Sequence, residues 1–474
     1  MLLKERFEIT RPLEEMEISL VRACIANPAL LNAHEEATLR TALSLARMYK
    51  VRHQGRDVGI GAWLEPFRLE IQRRLGPVLL PGRGPLNRAA LLPQLKDLKE
   101  RTLDVRDGLA KRFENRLSVE AIDRELRHKA LVLVSGGGGG TGYVYVGVMS
   151  LLDDYGLKPE LLVGTSIGAI LSLFRSRVAR FDQDEIINIV RGLSWRRLFR
   201  AISTENRYGV PAALRLFLRS GIGRWFGADH PQGGGLKLSE LPIRTIIALS
   251  GIRRGKLPRP LEFYESMFSL PRRAMFNPLK LMGSVQSTFG ALAEFFNRPE
   301  VLVKLHLGAD DESRNWDALD AAGFSSALPG VIHYDVLRDD PRMHKEILGT
   351  MENHGVSRFV DGGLVDNLPC KAAWRAVHKG QISTRNAFIL ALNGFSMKLS
   401  TPLWLPLERL AEVNVKKNRA WAHLVHDFKR TLSPLELIPS VDAMANAMAL
   451  GRKQLIPEVP FLTRMLAPLP RLQR

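Results

Sequence analysis

Five consecutive glycines follow a short apolar run in this chain and restrict what the segment can fold into. The stretch is "LVLVSGGGGGTGYVYVG", from Leu131 to Gly147. No charged residue occurs from Leu131 to Leu152, but a glycine-dominated middle makes a poor lipid-exposed helix. A buried strand, a loop and a helix in series explain the same residues. We therefore predict no transmembrane helix here.

The alternation of strand and helix signals continues beyond the glycines. "ALVLVS" and "ELLVG" predict buried strands, whereas "YVYVGVMSLLDDYG", ended by Gly156, and "SIGAILSLFRSR" predict helices. Strands and helices that alternate over ~50 residues are typical of a parallel sheet covered by helices. The predicted fold class is therefore α/β, with a mainly parallel sheet.

The rest of the chain divides into regions of different character. Residues 1–128 predict a helical accessory region, in which Asn32 and Glu35 form a capping box and Leu39, Leu43, Ala46 and Tyr49 share one stripe. Residues 129–395 carry the α/β pattern, interrupted by a basic insertion at about 191–300. Residues 396–474 predict a helical C-terminal region.

The cysteine content and the first residues of the chain indicate the cellular compartment of the protein. Two cysteines, Cys24 and Cys370, cannot form a disulfide framework and fit a reducing compartment. The first residues contain no apolar run of signal-peptide length and no lipidation motif. We expect a cytoplasmic protein.

The motif "GTSIG", Gly164 to Gly168, lies between a predicted strand and a predicted helix. This is the context that a G-x-S-x-G nucleophile elbow requires. The flanking glycines permit a sharp turn, which would expose the hydroxyl of Ser166 at the carboxyl edge of the sheet. The following helix N-terminus favours developing negative charge there.

The glycine loop offers donors for such chemistry. Acyl transfer through a serine creates a tetrahedral oxyanion, which backbone N–H groups stabilise. Gly137, Gly138 and Gly139 are the natural donors, with the amide of Ile167 as an additional one.

Two other types of glycine loop fit less well. Gly137, Gly139 and Gly142 formally match G-x-G-x-x-G, but the acidic residue Glu160 stands at the start of the next strand instead of its end. A P-loop requires Lys and then Ser or Thr after the last glycine, where this chain has Tyr143 and Val144.

A serine nucleophile needs a base, and the sequence offers two kinds. In "VDGGLVDNLP", Asp361 follows an apolar strand signal and precedes Gly362 and Gly363, so its carboxylate would sit at a strand end within reach of a serine. A plain turn is the other interpretation of Asp-Gly-Gly. A conventional triad would instead use His378, His423 or His426.

Four motifs in order, "GGGGTG", "GTSIG", "SALPG" and "VDGGLVDNLP", together resemble the patatin-like phospholipases, lipid acyl hydrolases with a three-layer α/β fold and a Ser–Asp dyad. The resemblance spans about residues 129–174 and 320–395. It implies Ser166 as nucleophile, Asp361 as base and Gly137–Gly139 as oxyanion hole. Ser326, Leu328, Pro329 and Gly330 look like the family's structural block.

The sequence departs from the family pattern at Thr141, where many members carry Lys or Arg, and this puts the headgroup preference in doubt. We expect no cofactor, because the dyad needs no metal and no His, Cys or Asp spacing suits catalytic zinc or calcium.

The charge distribution points to an anionic interface. The net charge is +19, and the segment from Arg191 to Lys304 contains 19 Lys or Arg but only 7 Asp or Glu. "RGLSWRRLFRA" and "LRLFLRSGIGRWFG" mix arginines with Trp and Phe, a composition suited to anionic membranes. Amphipathic helices packed on the core would look the same. Nucleic acid is disfavoured because no recognised motif accompanies the charge.

We therefore expect a peripheral membrane esterase that acts on phospholipids or neutral lipids. A catalytically inactive, basic lipid-binding scaffold with the same fold is the alternative of a different class.

Overall fold

The computed structural model describes residues 3–80, 82, 86–201, 206–228, 234–256, 260, 262, 299–394, 413–434 and 436–474. The chain forms two compact units. One contains Met1–Val132, Trp374–Ile389 and Pro457–Arg474, and the other contains Leu133–Ala373 and Leu390–Ile456. We call them the helical unit and the α/β unit. Much of the predicted basic insertion, and residues 396–412 of the predicted C-terminal region, lie outside the described residues.

The helical unit begins with two helices, a hairpin and four further helices. They are α1 (Leu3–Ala26), α2 (Ala33–Arg47), β1 (Lys50–His53), β2 (Arg56–Gly59), α3 (Gly61–Leu79), α4 (Arg88–Leu95), α5 (Leu98–Arg112) and α6 (Val119–Arg127). A helix at Val459–Leu466 completes the unit and buries Val459, Phe461, Leu462 and Met465.

The predicted capping box starts α2. Asn32 Oδ1 accepts the N–H of Glu35 at 2.9 Å, and the Glu35 carboxylate accepts the N–H of Asn32 at 2.8 Å. Tyr49 lies beyond the end of this helix, although it is buried as its place on the stripe suggested. The hairpin of β1 and β2 was not predicted. Its turn residues Gln54 and Gly55 both have positive φ, which suits a tight hairpin connection.

Most residues of a central sheet belong to the α/β unit, and this sheet has the strand order β10-β7-β4-β3-β11-β12, with β8 paired to β7. Its strands are β3 (Ala130–Ser135), β4 (Pro159–Thr165), β7 (Arg244–Arg253), β8 (Leu302–Leu307), β10 (Val356–Val360), β11 (Ala387–Asn393) and β12 (Leu424–Asp427). A smaller sheet has the order β5-β6-β9, formed by β5 (Phe199–Ala201), β6 (Ala212–Leu216) and β9 (Gly330–His333).

Helices flank these sheets. They are α7 (Tyr143–Asp154), α8 (Ile167–Ser176), α9 (Gln183–Arg191), α10 (Trp195–Leu198), α11 (Leu218–Ile222), α12 (Ala318–Ser325), α13 (Pro341–Asn353), α14 (Gly363–Asp366), α15 (Cys370–His378) and α16 (Val441–Leu455). In the part of the chain that the structure describes, no helix combines the length and apolar character needed to cross a bilayer.

The sheet confirms the predicted α/β class and its first elements. β3, α7, β4 and α8 follow one another as the sequence pattern indicated, and Gly156 turns the chain after α7 with φ +70°. β12 was not predicted, because it falls in a region whose composition suggested helices. Its four residues pair in parallel with β11, a partner distant in sequence.

Candidate active site

Strand β7 brings the ends of two other strands together. β4 lies parallel to β7 and ends opposite Ala248, whereas β10 lies antiparallel and ends opposite Ser250. β8 pairs with β7 at both of these positions and so occupies one edge of it. β4 and β10 therefore share the opposite edge of β7, where their ends meet. Ser166 follows β4 and Asp361 follows β10. The antiparallel direction of β10 therefore places the two residues side by side.

Ser166 occupies the sharp turn between β4 and α8. Its φ of 52° and ψ of −124° form a strained conformation that is rare for a residue with a side chain. A Cβ atom on Gly168 would lie 2.2 Å from the carbonyl oxygen of Ser135, so only glycine allows this helix to approach β3. The N–H of Ser166 donates to Ser325 Oγ at 2.9 Å, and that hydroxyl donates to the Ala248 carbonyl at 2.6 Å.

The carboxyl group of Asp361 is buried, with 6% of the residue exposed. It accepts the N–H of Gly363 at 2.6 Å and is hydrogen-bonded to the side chain of Ser166. Burial raises the pKa of Asp361 to about 7, against the two hydrogen bonds, which lower it. Its backbone N–H donates to the carbonyl of Ala327, a residue of the "SALPG" motif, at 2.8 Å.

Two of the three glycines predicted as donors lie in the lining of the candidate site. Gly138 and Gly139 line the cavity that contains Ser166, and no oxygen of a described residue accepts their N–H groups. The N–H of Gly137 instead donates to the backbone carbonyl of Asn367 at 3.2 Å, so this donor is already occupied. At Gly139, φ is +57° and a Cβ would lie 2.2 Å from the carbonyl oxygen of Pro434. A side chain at Gly139 would therefore prevent the loop from packing against Pro434.

Asn367 is a polar residue of the site that the sequence interpretation missed. It is 4% exposed, lines the cavity with Ser166 and Asp361, and its Nδ2 has no hydrogen-bond partner within the described residues. A Cβ on Gly363 would lie 2.8 Å from Asp361 Oδ1 and 2.9 Å from Asn367 Oδ1, so the two side chains are neighbours. Its position six residues after the acid of the Asp-Gly-Gly motif was the only signal in the sequence.

The cavity that contains Ser166, here called the serine cavity, is lined mainly by apolar side chains. They come from the elbow helix α8, from α9, α10 and α11, and from strands and turns of the smaller sheet. They include Ile167, Ile170, Leu171, Phe174, Ile186, Ile189, Val190, Leu193, Leu198, Phe199, Leu216, Leu218, Ile222, Leu328, Val331 and Ile332. Its polar groups are few and lie near Ser166. The cavity therefore suits a long apolar chain with one reactive polar group.

The histidines of the alternative triad lie elsewhere. His378 belongs to the helical unit, where Nδ1 lies 2.6 Å from the hydroxyl of Tyr49 and the ring stacks on Trp374 at 3.7 Å. His426 is in β12. No histidine is found among the described residues that line the serine cavity.

Thr141, the departure from the family pattern, is buried and does not line the serine cavity. A Cβ on Gly394 would lie 3.1 Å from Thr141 Oγ1, which shows how closely the end of β11 approaches this side chain.

An α/β unit with a serine elbow, a buried carboxyl group and an apolar cavity has the architecture of an acyl hydrolase. A model of the patatin-like phospholipase family matches residues 133–374, just over half of the chain. The chain belongs to the patatin-like phospholipase family, and thus to a family of lipid acyl hydrolases. No curated protein matches the chain at a significant level.

Proposed function

We propose that this protein is a serine-dependent lipid acyl hydrolase in which Ser166 is the nucleophile and Asp361 its base. The observation that carries the proposal is the hydrogen bond between the Ser166 side chain and the buried Asp361 carboxyl group, beside an apolar cavity. A pKa of Asp361 near 7 makes its carboxylate a much stronger base than an aspartate in water.

In the first half of the reaction, Ser166 Oγ attacks the ester carbonyl carbon while its proton passes to Asp361. The carbonyl oxygen becomes an oxyanion, which the N–H groups of Gly138 and Gly139 stabilise. We add the side-chain amide of Asn367 as a further donor, because Asn367 is buried and lines the same cavity as the dyad. Asp361 then returns the proton to the leaving oxygen, and the acyl-serine forms as the alcohol departs.

In the second half, a water molecule attacks the acyl-serine carbonyl. Asp361 takes a proton from this water and returns it to Ser166 Oγ as the fatty acid leaves. The serine and the carboxylate are regenerated, so the cycle consumes one water per ester.

The lining of the serine cavity supports a fatty acyl substrate, from a phospholipid or a neutral lipid. Leu193, Leu198 and Phe199 line it, while Trp195 and Arg196 of the same short segment are exposed, Trp195 to 43%. An exposed aromatic beside an arginine at the rim suits peripheral docking on an anionic membrane surface. Trp195 is the one exposed aromatic of the basic stretches within the described residues.

The test combines a covalent probe with lipid turnover. A fluorophosphonate should label the wild type and leave Ser166→Ala unlabelled, and fatty acid release from phosphatidylcholine and triacylglycerol dispersions should vanish in Ser166→Ala and Asp361→Asn. Separate His378→Ala, His423→Ala and His426→Ala variants should keep their turnover. An unlabelled wild type, tested with and without anionic vesicles, would favour the inactive scaffold, and loss of turnover in one histidine variant would favour the triad.

A further inference from the structure

A second cavity of about 510 Å³ lies beside the serine cavity, between α11 with its following turn and the segment after β9. We call it the arginine cavity, because Arg197, Arg215, Arg219, Arg224 and Arg338 line it. Asp335 is the one acidic side chain among the described residues of its lining. A concave site with this excess of arginine attracts an anion.

Part of this charge is balanced inside the protein. Arg338 forms ion pairs with Asp317 at 2.9 Å and with Asp320 at 2.7 Å, and Arg219 is paired with Asp317 as well. Asp335 has a different role, because its carboxylate accepts backbone N–H groups, including that of Arg207 at 2.6 Å. The acid of the lining is thus already bonded to the backbone.

Two exposed arginines of the lining supply the excess charge. Arg197 and Arg224 are exposed, and neither forms an ion pair with any described acidic residue. The guanidinium of Arg224 lies 3.8 Å from the ring centre of Trp225, and such stacking holds the group while its N–H edges can still donate. Arg215 lines the same cavity and is only 3% exposed.

We propose that the arginine cavity binds a phosphate group, carried either by a lipid headgroup or by a small soluble phosphate. Arginine is the side chain that matches phosphate oxygens in pairs of N–H donors, and several arginines around one concave site are typical of phosphate recognition. The apolar residues Leu216, Phe217 and Leu218 in the same lining favour a phosphate attached to carbon.

The two cavities share a wall. Leu216 and Leu218 line both of them, so an anion in the arginine cavity lies one layer of side chains away from the space that we assign to the acyl chain. Phosphate binding should therefore change the rate of ester hydrolysis. Only this coupling rests on the proposed function, whereas the binding itself does not.

The test measures binding in the Ser166→Ala protein, which separates it from turnover. Calorimetry with inorganic phosphate and with glycerol 3-phosphate reports soluble ligands, and co-sedimentation with phosphatidylcholine vesicles, with and without phosphatidic acid, reports a headgroup. The test variant is Arg197→Gln with Arg224→Gln. The control is Arg253→Gln with Arg254→Gln, two exposed arginines that line neither cavity and remove the same charge.

We expect the test variant to bind either the soluble phosphates or the phosphatidic acid vesicles at least 10-fold more weakly than the control does. Weaker binding of the soluble ligands identifies a free phosphate as the ligand, and weaker binding of phosphatidic acid vesicles alone identifies a headgroup. Equal binding by the two double variants, or no binding by the parent protein in any arm, overturns the proposal. Fluorophosphonate labelling of the two double variants with Ser166 restored shows separately whether the hydrolase survives.

Discussion

The backbone N–H of Ser166 donates to the hydroxyl of Ser325, a residue that is far away in sequence, at 2.9 Å. Ser325 ends α12, and its hydroxyl donates a hydrogen bond to the Ala248 carbonyl of β7 at 2.6 Å. One buried hydroxyl thus ties the strained elbow to the central strand of the site. Backbone strain persists only where surrounding contacts hold it, and this hydroxyl is such a contact.

We expect Ser325→Ala to lower kcat on a soluble ester about 10-fold, because the elbow loses the bond that fixes its conformation. The partly buried N–H of Ser166 would also lose its acceptor, which costs about 1–3 kcal/mol of unfolding free energy. The matched control is Ser172→Ala, since Ser172 is equally buried and its hydroxyl has no hydrogen-bond partner among the described residues. Equal kcat values for the two variants would show that the elbow does not depend on Ser325.

The pKa of Asp361 sets a pH dependence for turnover. The base must be ionised, so kcat/KM for a soluble ester should rise with pH through about 7 and level off above it. Asp361→Asn should remove the activity over the whole range. The profile is measured with a substrate that does not titrate, and a rate that stays constant from pH 5 to pH 8 would argue against this aspartate as the base.

Local sequence signals predicted the strand, turn and helix around Ser166, but not the strand pairing that brings Asp361 beside Ser166. The strand that precedes Asp361 was evident from its apolar residues, whereas its antiparallel pairing with β7 depends on chain far away. Gly137 is a second such case, because the glycine motif suggested it as an oxyanion donor together with Gly138 and Gly139. Only the folded backbone shows that its N–H is taken by the carbonyl of Asn367.

Asn367 gives a test of the additional oxyanion donor. Asn367→Ala and Asn367→Asp both remove the Nδ2 donor, and each should lower kcat about 100-fold or more with little change in KM, as loss of an oxyanion donor does. The aspartate keeps the size and the acceptor oxygen of asparagine. Full activity in Asn367→Asp together with a defect in Asn367→Ala would mean that the oxygen, and not the amide nitrogen, does the work.

The exposed pair Trp195 and Arg196, close in sequence to residues that line the serine cavity, predicts a selective loss of interfacial activity. Trp195→Ala with Arg196→Gln should weaken binding to anionic phospholipid vesicles about 5-fold or more, because an aromatic anchor and one basic contact are lost. Hydrolysis of a soluble short-chain ester should stay unchanged. Tyr155→Ala with Arg253→Gln is the control, since Tyr155 is 51% exposed and both residues lie outside the serine cavity. Equal vesicle binding by the two double variants would place the membrane contact elsewhere.

The buried carboxyl group of Asp361, which suits catalysis, should lower the free energy of unfolding when it is ionised. The pKa of Asp361 is about 7 in the folded protein, against an ordinary value of 3.8, so the folded state binds this proton more tightly than the unfolded chain does. The stability gained from this tighter proton binding is fully present below pH 3.8, decreases as the pH rises to about 7 and is absent above that pH. This difference corresponds to about 4 kcal/mol.

Asp361→Asn cannot ionise, so it should be more stable than the wild type at pH 8 and nearly equal to it at pH 4. Denaturant unfolding of both proteins at the two pH values measures this difference, with Ser166→Ala as a second inactive variant that keeps the carboxyl group. A stability gain in Asp361→Asn that is the same at both pH values would show that the gain has another origin. A gain confined to high pH would show that ionising this base opposes folding, which is the cost of keeping a strong carboxylate base beside Ser166.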